Sequence, residues 1–430
     1  MSARVPEPSH AAPSRLARKL GVGDAVVVGL GSMVGAGIFA ALAPAARAAG
    51  AGLLLALAVA AFVAYCNATS SAALAARYPE SGGTYVYGRK RLNAFWGFLA
   101  GWAFVIGKLA SCAAMALTFA SYAAPALARP LAAAAVIVVT AINYFGISRT
   151  VFVTRIIVAF VLACLALVVL ATAFGGQADV GRIAATIIAS PSGVLQAAGF
   201  LFFAFAGYAR IATLGEEVRD PARTIPRAIP LALGLTLVIY AMVAVSALAG
   251  VDASALASTS APLVLAVESG RWSLLAPAVR AGAIVASLGV LLSLIAGVGR
   301  TAFAMAANGD LPRFLAAVHP RHQVPHHADV AVGAIVVVVV LLADVRGAIG
   351  FSAFAVLVYY GIANACALTL QPSERRWPRA LAIAGVAGCL VLAFSLPWSS
   401  VLQGAALLVV GAAVYAMRLA WKSSRRRANE

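Results

Sequence analysis

The chain has 430 residues, of which 63% are hydrophobic and 11% are charged, whereas soluble domains are roughly 45–50% apolar and about 25% charged. This composition excludes a soluble enzyme, a disordered protein and a receptor with a single membrane anchor. The net charge of +18 does not require a nucleic-acid partner, because membrane proteins concentrate Lys and Arg in their cytoplasmic loops.

Apolar runs separated by turn and charge signals predict an all-α integral membrane protein of about twelve transmembrane helices. The predicted spans are 22–48, 51–76, 95–124, 130–147, 151–174, 192–218, 226–250, 276–306, 327–343, 347–370, 378–396 and 398–421. No metal or cofactor is predicted. The five cysteines lie in apolar runs, and the histidines between His319 and His327 lack regular ligand spacing.

The distribution of Lys and Arg sets the predicted orientation. With the N-terminus in the cytoplasm, 24 of the 32 basic residues fall inside and six outside, and the remaining two, Lys108 and Arg210, lie within spans. The positive-inside rule therefore predicts a multi-pass protein of the cell (plasma) membrane, in contact with lipid, with both termini in the cytoplasm.

Two of the spans are interrupted by glycine. The first contains Gly29, Gly31, Gly35 and Gly37, and the sixth runs from Gly199 through Gly207 to Gly215. Paired interruptions of this kind point to a transporter binding site, because backbone groups freed by unwinding must line a cavity. The exposed N–H groups of one half-helix suit a carboxylate, and the terminal carbonyls of another suit an ammonium group, so an α-amino acid fits both. The alternative for the first span alone is a small-residue packing motif in an unbroken helix.

Four stretches together resemble the amino acid–polyamine–organocation transporter superfamily. They are residues 31–39 (GSMVGAGIF), 78–88 (YPESGGTYVYG), 202–228 (FFAFAGYARIATLGEEVRDPARTIPRA) and 300–312 (RTAFAMAANGDLP). The resemblance implies two inverted five-helix repeats with helices 1 and 6 broken, plus two peripheral helices. The corresponding segments are a cytoplasmic tail at 1–20, repeats at 21–175 and 190–370, peripheral helices at 378–421 and a basic cytoplasmic tail at 422–430. The segment 78–88 is expected to form a turn or a re-entrant element.

The resemblance also implies a substrate site. The substrate carboxylate would meet the backbone of the first break at Met33, Gly35, Ala36 and Gly37, with Ser32 adjacent. The amino group would meet carbonyls of Phe203, Ala204 and Ala206, and an aromatic gate would come from the cluster between Phe202 and Phe205. Two interpretations remain open for Glu216 and Glu217. They could pair with basic residues such as Arg300 to close an inner gate, or they could belong to a solvated loop.

Many members of the superfamily carry a lysine in the fifth span, where this chain has Val161. Lys108 instead lies about 12 residues from each end of the third span, about 18 Å of helix and beyond the reach of snorkelling. A charge at that depth predicts a functional role as the coupling residue. A structural lysine that donates to carbonyls of an unwound segment is the alternative. Lys108, Ser111, Met115 and Thr118 share one helical face.

The predicted function is secondary active transport of an amino acid by alternating access, with no enzymatic activity. A cavity with Lys108 and no carboxylate predicts neutral amino acids first and acidic ones second. Protons or a counter-substrate would supply the driving force. An exchanger for cationic amino acids or polyamines and a non-transporting sensor are the alternatives. The sequence leaves the substrate, the coupling ion and the oligomeric state open.

Overall fold

The computed structural model describes residues 20–34, 37–80, 82–146, 151–179, 181–184, 190–214 and 217–428. Within these ranges the chain is helical, without an extended strand. The helices are α1 (Val22–Met33), α2 (Gly37–Ala49), α3 (Leu53–Arg77), α4 (Thr84–Arg91), α5 (Ala94–Ala123), α6 (Ala128–Tyr144), α7 (Val151–Phe174), α8 (Gly181–Ala184), α9 (Pro191–Phe205), α10 (Ala209–Ala212), α11 (Pro221–Gly250), α12 (Ala253–Ser258), α13 (Pro262–Glu268), α14 (Ala276–Ala307), α15 (His326–Leu342), α16 (Val345–Leu368), α17 (Arg379–Ser395) and α18 (Trp398–Ala428).

Nine helical segments among the described residues are long and apolar enough to cross a membrane, and α1, α15 and α17 are shorter apolar helices. Each of the twelve predicted spans contains one helix or a pair of half-helices. The prediction of an all-helical membrane fold with two broken helices is therefore confirmed. The first break separates α1 from α2 after Val34, and the second is a 3-10 turn at Ala206–Tyr208 between α9 and α10.

Apolar side chains also cover the outside of the bundle. On α7, Phe152, Ile156 and Phe160 form a stripe at intervals of four residues, and each is more than two-fifths exposed. Such a stripe is costly in water and favourable in lipid, so it marks a face of the bundle that the bilayer covers.

Backbone and ionic contacts show which helix ends lie at the same end of the bundle. Leu20 exchanges backbone hydrogen bonds with Glu217 and Arg219, and Arg91 pairs with Glu374 after α16. At the other end, Arg182 pairs with Asp252. We call the end that contains Leu20 and Glu374 the basic face, because the predicted cytoplasmic basic residues belong to it.

The segment between α3 and α5 is a turn followed by the short helix α4, as predicted. Gly83 has φ of +55°, a conformation that glycine adopts at little cost. The next backbone N–H, from Thr84, donates to the Tyr359 hydroxyl of α16 at 3.1 Å. The turn thereby fixes α4 against α16 at the basic face.

Candidate functional site

The two broken helices cross each other in the centre of the bundle. A Cβ atom placed on Gly37 would lie 2.5 Å from the Cα of Ala204, and one placed on Gly207 would lie 2.3 Å from the carbonyl oxygen of Ser32. Only glycine permits backbones to approach this closely. The breaks of α1/α2 and α9/α10 are therefore in direct contact, as a shared binding site requires.

The polar backbone groups at the breaks face one another. The first N–H groups of α2, from Gly37 onward, have no partner inside their own helix. The carbonyls of Met33 and Ala204 both lie near the Tyr240 hydroxyl, at 2.6 and 3.2 Å, and the Ala206 carbonyl lies 3.2 Å from the Tyr360 hydroxyl. The carbonyls of Ala204 and Ala206, predicted to meet a substrate ammonium group, thus have tyrosine partners here.

Sequence reasoning missed these two tyrosines. Tyr240 lies in α11 and Tyr360 in α16, both are fully buried, and each sits within an apolar run without a local motif. Only the folded bundle brings their hydroxyls to the freed carbonyls.

A cavity of about 430 Å³, here called the central cavity, opens beside the crossing. Its walls come from both broken helices together with α5, α14 and α16. Predicted site residues on the walls are Ser32, Met33, Gly37, Phe203, Ala204, Ala206, Lys108 and Glu217; others are Tyr85, Phe104, Ser111, Met115, Gly207, Arg210, Ser293, Gly297, Arg300 and Tyr359. Gly35, Ala36 and Glu216 lie outside the described residues.

Lys108 reaches the central cavity from the middle of α5, and only 8% of the residue is exposed. Its ammonium group lies 6.0 Å from the centroid of the Phe104 ring and forms no hydrogen bond or ion pair with a residue that the structure describes. Ser111 and Met115 follow on the same wall, whereas Thr118 bonds the Ala114 carbonyl. The alternative of a lysine that donates to backbone carbonyls finds no support among the described contacts.

The three phenylalanines of the proposed aromatic gate have different surroundings. Phe203 lines the central cavity. Phe202 packs edge-on against Tyr360, with ring centroids 5.8 Å apart, and Phe205 packs against Tyr240 at 5.2 Å. Phe202 and Phe205 are fully buried and do not line the cavity in this conformation.

The expected absence of carboxylates from the cavity is wrong, because Glu217 lies on its wall. Glu217 lies at the end of the sixth predicted span, where the sequence left a gate residue and a solvated loop as alternatives, and the structure places it on the cavity wall together with Arg210 and Arg300. Within the described ranges, no ion pair joins Glu217 to either arginine. Lys108, Arg210 and Arg300 outnumber Glu217, so the wall remains net positive.

A second cavity of about 530 Å³, here called the lateral cavity, lies between α1, α6, α7, α14 and α15. Residues common to both cavities are Ser32, Arg210, Glu217, Ser293, Gly297 and Arg300. Val161, at the position expected for a lysine, lines only the lateral cavity. The Ser293 hydroxyl donates to the Gly289 carbonyl of its own helix at 3.4 Å, as serines inside helices commonly do.

The sequence of the chain is similar to a known protein family. The amino acid permease family matches residues 24–425, almost the whole chain. The chain belongs to the amino acid permease family. It is thus a multi-pass membrane transporter with an amino acid substrate, and the resemblance in the four sequence stretches is confirmed.

Relatives of this permease carry different substrate names. A Mycobacterium tuberculosis protein named "uncharacterized transporter" is 61% identical over 406 residues, 94% of this chain and 92% of the relative. The branched-chain amino acid permease of Bacillus subtilis is 25% identical, over 93% of this chain and 92% of the relative. Human cationic amino acid transporter 4 is 28% identical, over 80% of this chain and 58% of the relative.

Proposed function

We propose that this permease transports neutral amino acids across the plasma membrane by alternating access, with its basic face and both termini in the cytoplasm. The observation that carries the proposal is the central cavity, whose lining includes both helix breaks, Lys108, Glu217 and Arg300. Its volume of about 430 Å³ accommodates an amino acid.

The substrate backbone would bind between the two breaks. The N-terminus of α2 offers N–H groups that have no partner inside their own helix, and the positive end of a helix dipole, to the carboxylate. The carbonyls of Ala204 and Ala206 have a second lone pair available besides the one their tyrosine hydroxyls use. These carbonyls would accept hydrogen bonds from the ammonium group.

Charge on the cavity wall supports a neutral side chain. Lys108, Arg210 and Arg300 would repel an added cation, and Glu217 would offset only one of them. The Bacillus subtilis relative, named for branched-chain amino acids, is consistent with this choice. The human relative, named for cationic amino acids, makes arginine the necessary competitor to test.

Two inverted repeats, at 21–175 and 190–370, would supply the moving parts. The breaks occur in the first and sixth spans, which are corresponding places in the two repeats. Helices α17 and α18 would be peripheral. Glu217 and Arg300 both line the cavity and form no ion pair with each other among the described contacts, so an inner gate made by these two residues would be open in this state.

Uptake into proteoliposomes tests the proposal. We expect wild-type protein to accumulate labelled neutral amino acids when an inward proton gradient is imposed, with weak competition from arginine. Lys108→Ala should lower gradient-driven accumulation by about tenfold or more, a typical coupling effect, while exchange against internal amino acid persists. Thr118→Ala is the matched control, because Thr118 lies on the same helix and lines neither cavity.

Other outcomes would replace parts of the proposal. Acceleration by internal amino acid without any response to the gradient would identify an exchanger and give Lys108 a structural role. Strong competition by arginine with none by neutral amino acids would overturn the neutral substrate class. Substrate binding without uptake would identify a sensor.

A further inference from the structure

Asp329 is a buried carboxyl that the proposed substrate site does not use. It belongs to the first turn of α15, is 3% exposed and lies on the wall of the lateral cavity. Its Oδ1 atom is buried without a hydrogen-bond partner, and no ion pair joins Asp329 to another described residue. A buried carboxylate without a partner is costly, whereas a protonated carboxyl is much less so.

The neighbouring helix leaves room for this carboxyl. A Cβ atom on Gly299 of α14 would lie 1.9 Å from Asp329 Oδ1, so the carboxyl fills the space that any other residue at 299 would occupy. Gly299 is followed directly by Arg300, whose side chain is exposed and lines both cavities. The site therefore combines a buried acid with the cation of Arg300, the residue after Gly299, which forms no ion pair with a described residue.

The groups around Asp329 come from every element beside it. Helix α14 contributes Arg300, and α6 contributes Asn143 and Tyr144, whose ring meets that of His326 edge-on. The imidazoles of His319, His322, His326 and His327 contact one another at and before the start of α15, and Arg210 and Glu217 also line the cavity. No described residue of α5 lines this cavity. Arg300 is thus the cation placed to act on Asp329 directly.

We propose that Asp329 is a proton-binding site whose state is tied to the position of Arg300. In the present open arrangement the carboxyl holds a proton taken from water at the basic face. When Arg300 moves toward α15, the proton returns to water and the carboxylate pairs with the guanidinium. The step breaks one O–H bond and transfers no electrons. This inference rests on the proposed transport function and assigns Asp329 a role separate from that of Lys108.

The test is counterflow exchange of a labelled neutral amino acid in proteoliposomes at equal pH on both sides. Between about pH 4 and pH 7, where protein carboxyls and imidazoles titrate and lysines do not, the wild-type rate should change with pH, and the Asp329 variant separates the carboxyl from the nearby histidines. Asp329→Asn, an isostere of the protonated acid, should give a flat profile at the level that the wild type reaches in acid. Glu268→Gln, at an exposed pair with Arg280 on the opposite face, should keep the wild-type profile.

A second variant tests the partner and guards against misfolding of the first. Arg300→Gln removes the cation that favours the carboxylate, so the midpoint of the pH profile should rise. The inference would be overturned by a flat wild-type profile, by an Asp329→Asn profile that matches the wild type, or by an Asp329→Asn rate that is lowered by the same factor at every pH. In each case measurable exchange would still support transport. Absence of exchange in the wild type would defeat the proposed function itself.

Discussion

At the scale of single residues, Tyr240 illustrates how a break inside a membrane helix is stabilised. Its hydroxyl lies 2.6 Å from the Met33 carbonyl and 3.2 Å from the Ala204 carbonyl, at the ends of α1 and α9. Lipid offers no donor to such groups, so a side chain must supply one. The same hydroxyl contacts both broken helices and therefore holds their ends together.

Removing this hydroxyl should destabilise the protein. Tyr240→Phe removes the single hydroxyl donor that the two buried carbonyls share, and we expect a loss of about 1–3 kcal/mol in unfolding free energy. Thermal unfolding in detergent would register it as a lower Tm. Tyr65→Phe, on a side chain that is 40% exposed on α3, is the matched control, and an equal Tm for the two variants would contradict the stabilising role.

At the scale of helices, the crossing of the two breaks depends on glycine. Gly37 and Gly207 each lie where a Cβ would overlap backbone atoms of the opposite break. Backbone cannot rotate out of the way as a long side chain can, so a larger residue must push the helices apart.

Alanine at these positions should therefore separate the breaks. We expect Gly37→Ala and Gly207→Ala to lower Tm and to lower amino-acid uptake by about tenfold or more, since misplacement of about 1 Å at a binding site can cost that much. Gly234→Ala is the control: no atom lies within 4 Å of its Cβ position in α11. Alanine inside a helix is about 1 kcal/mol better than glycine, so a Gly234→Ala variant as impaired as the other two would refute the steric argument.

At the scale of the whole molecule, Asp310 joins distant parts of the chain at the basic face. It is 4% exposed and accepts hydrogen bonds from Tyr85 Oη at 2.6 Å, from Arg89 at 2.7 Å and from Arg418. These partners lie on α4 and α18, whereas Asp310 follows α14. The network ties the last helix to the wall of the central cavity, which Tyr85 lines.

Loss of this carboxylate should weaken the docking of α18. Asp310→Ala removes the carboxylate from Arg89 and Arg418, whose side chains are 35% and 20% exposed, and we expect a loss of about 1.5–3 kcal/mol, as for a hydrogen bond to a charged group. Unfolding in detergent, followed by Tm, measures the loss. Glu268→Ala removes an exposed ion pair instead and should cost about 0–1 kcal/mol. A Tm for Asp310→Ala no lower than that of Glu268→Ala would show that α18 docks through its apolar face alone.

The sequence predicted the architecture because each transmembrane helix depends mainly on the residues of its own segment. A run of apolar residues long enough to cross the bilayer must satisfy its own backbone hydrogen bonds. The twelve spans, the two breaks and the turn at Gly83 were readable for this reason. Lys108 was conspicuous because charge is rare at such depth.

Contacts between helices were decided only by the tertiary structure. Tyr240 and Tyr360 look like ordinary core aromatics until α11 and α16 pack against the breaks. For Glu217 the sequence left a gate and a solvated loop as alternatives, and only folding placed Glu217 and Asp329 on cavity walls. Hydropathy indicates which segments can lie in lipid. The direction in which a side chain points depends instead on the rotation of its helix and on neighbours remote in sequence. The sequence therefore determined the spans and the breaks, and packing determined which side chains meet at them.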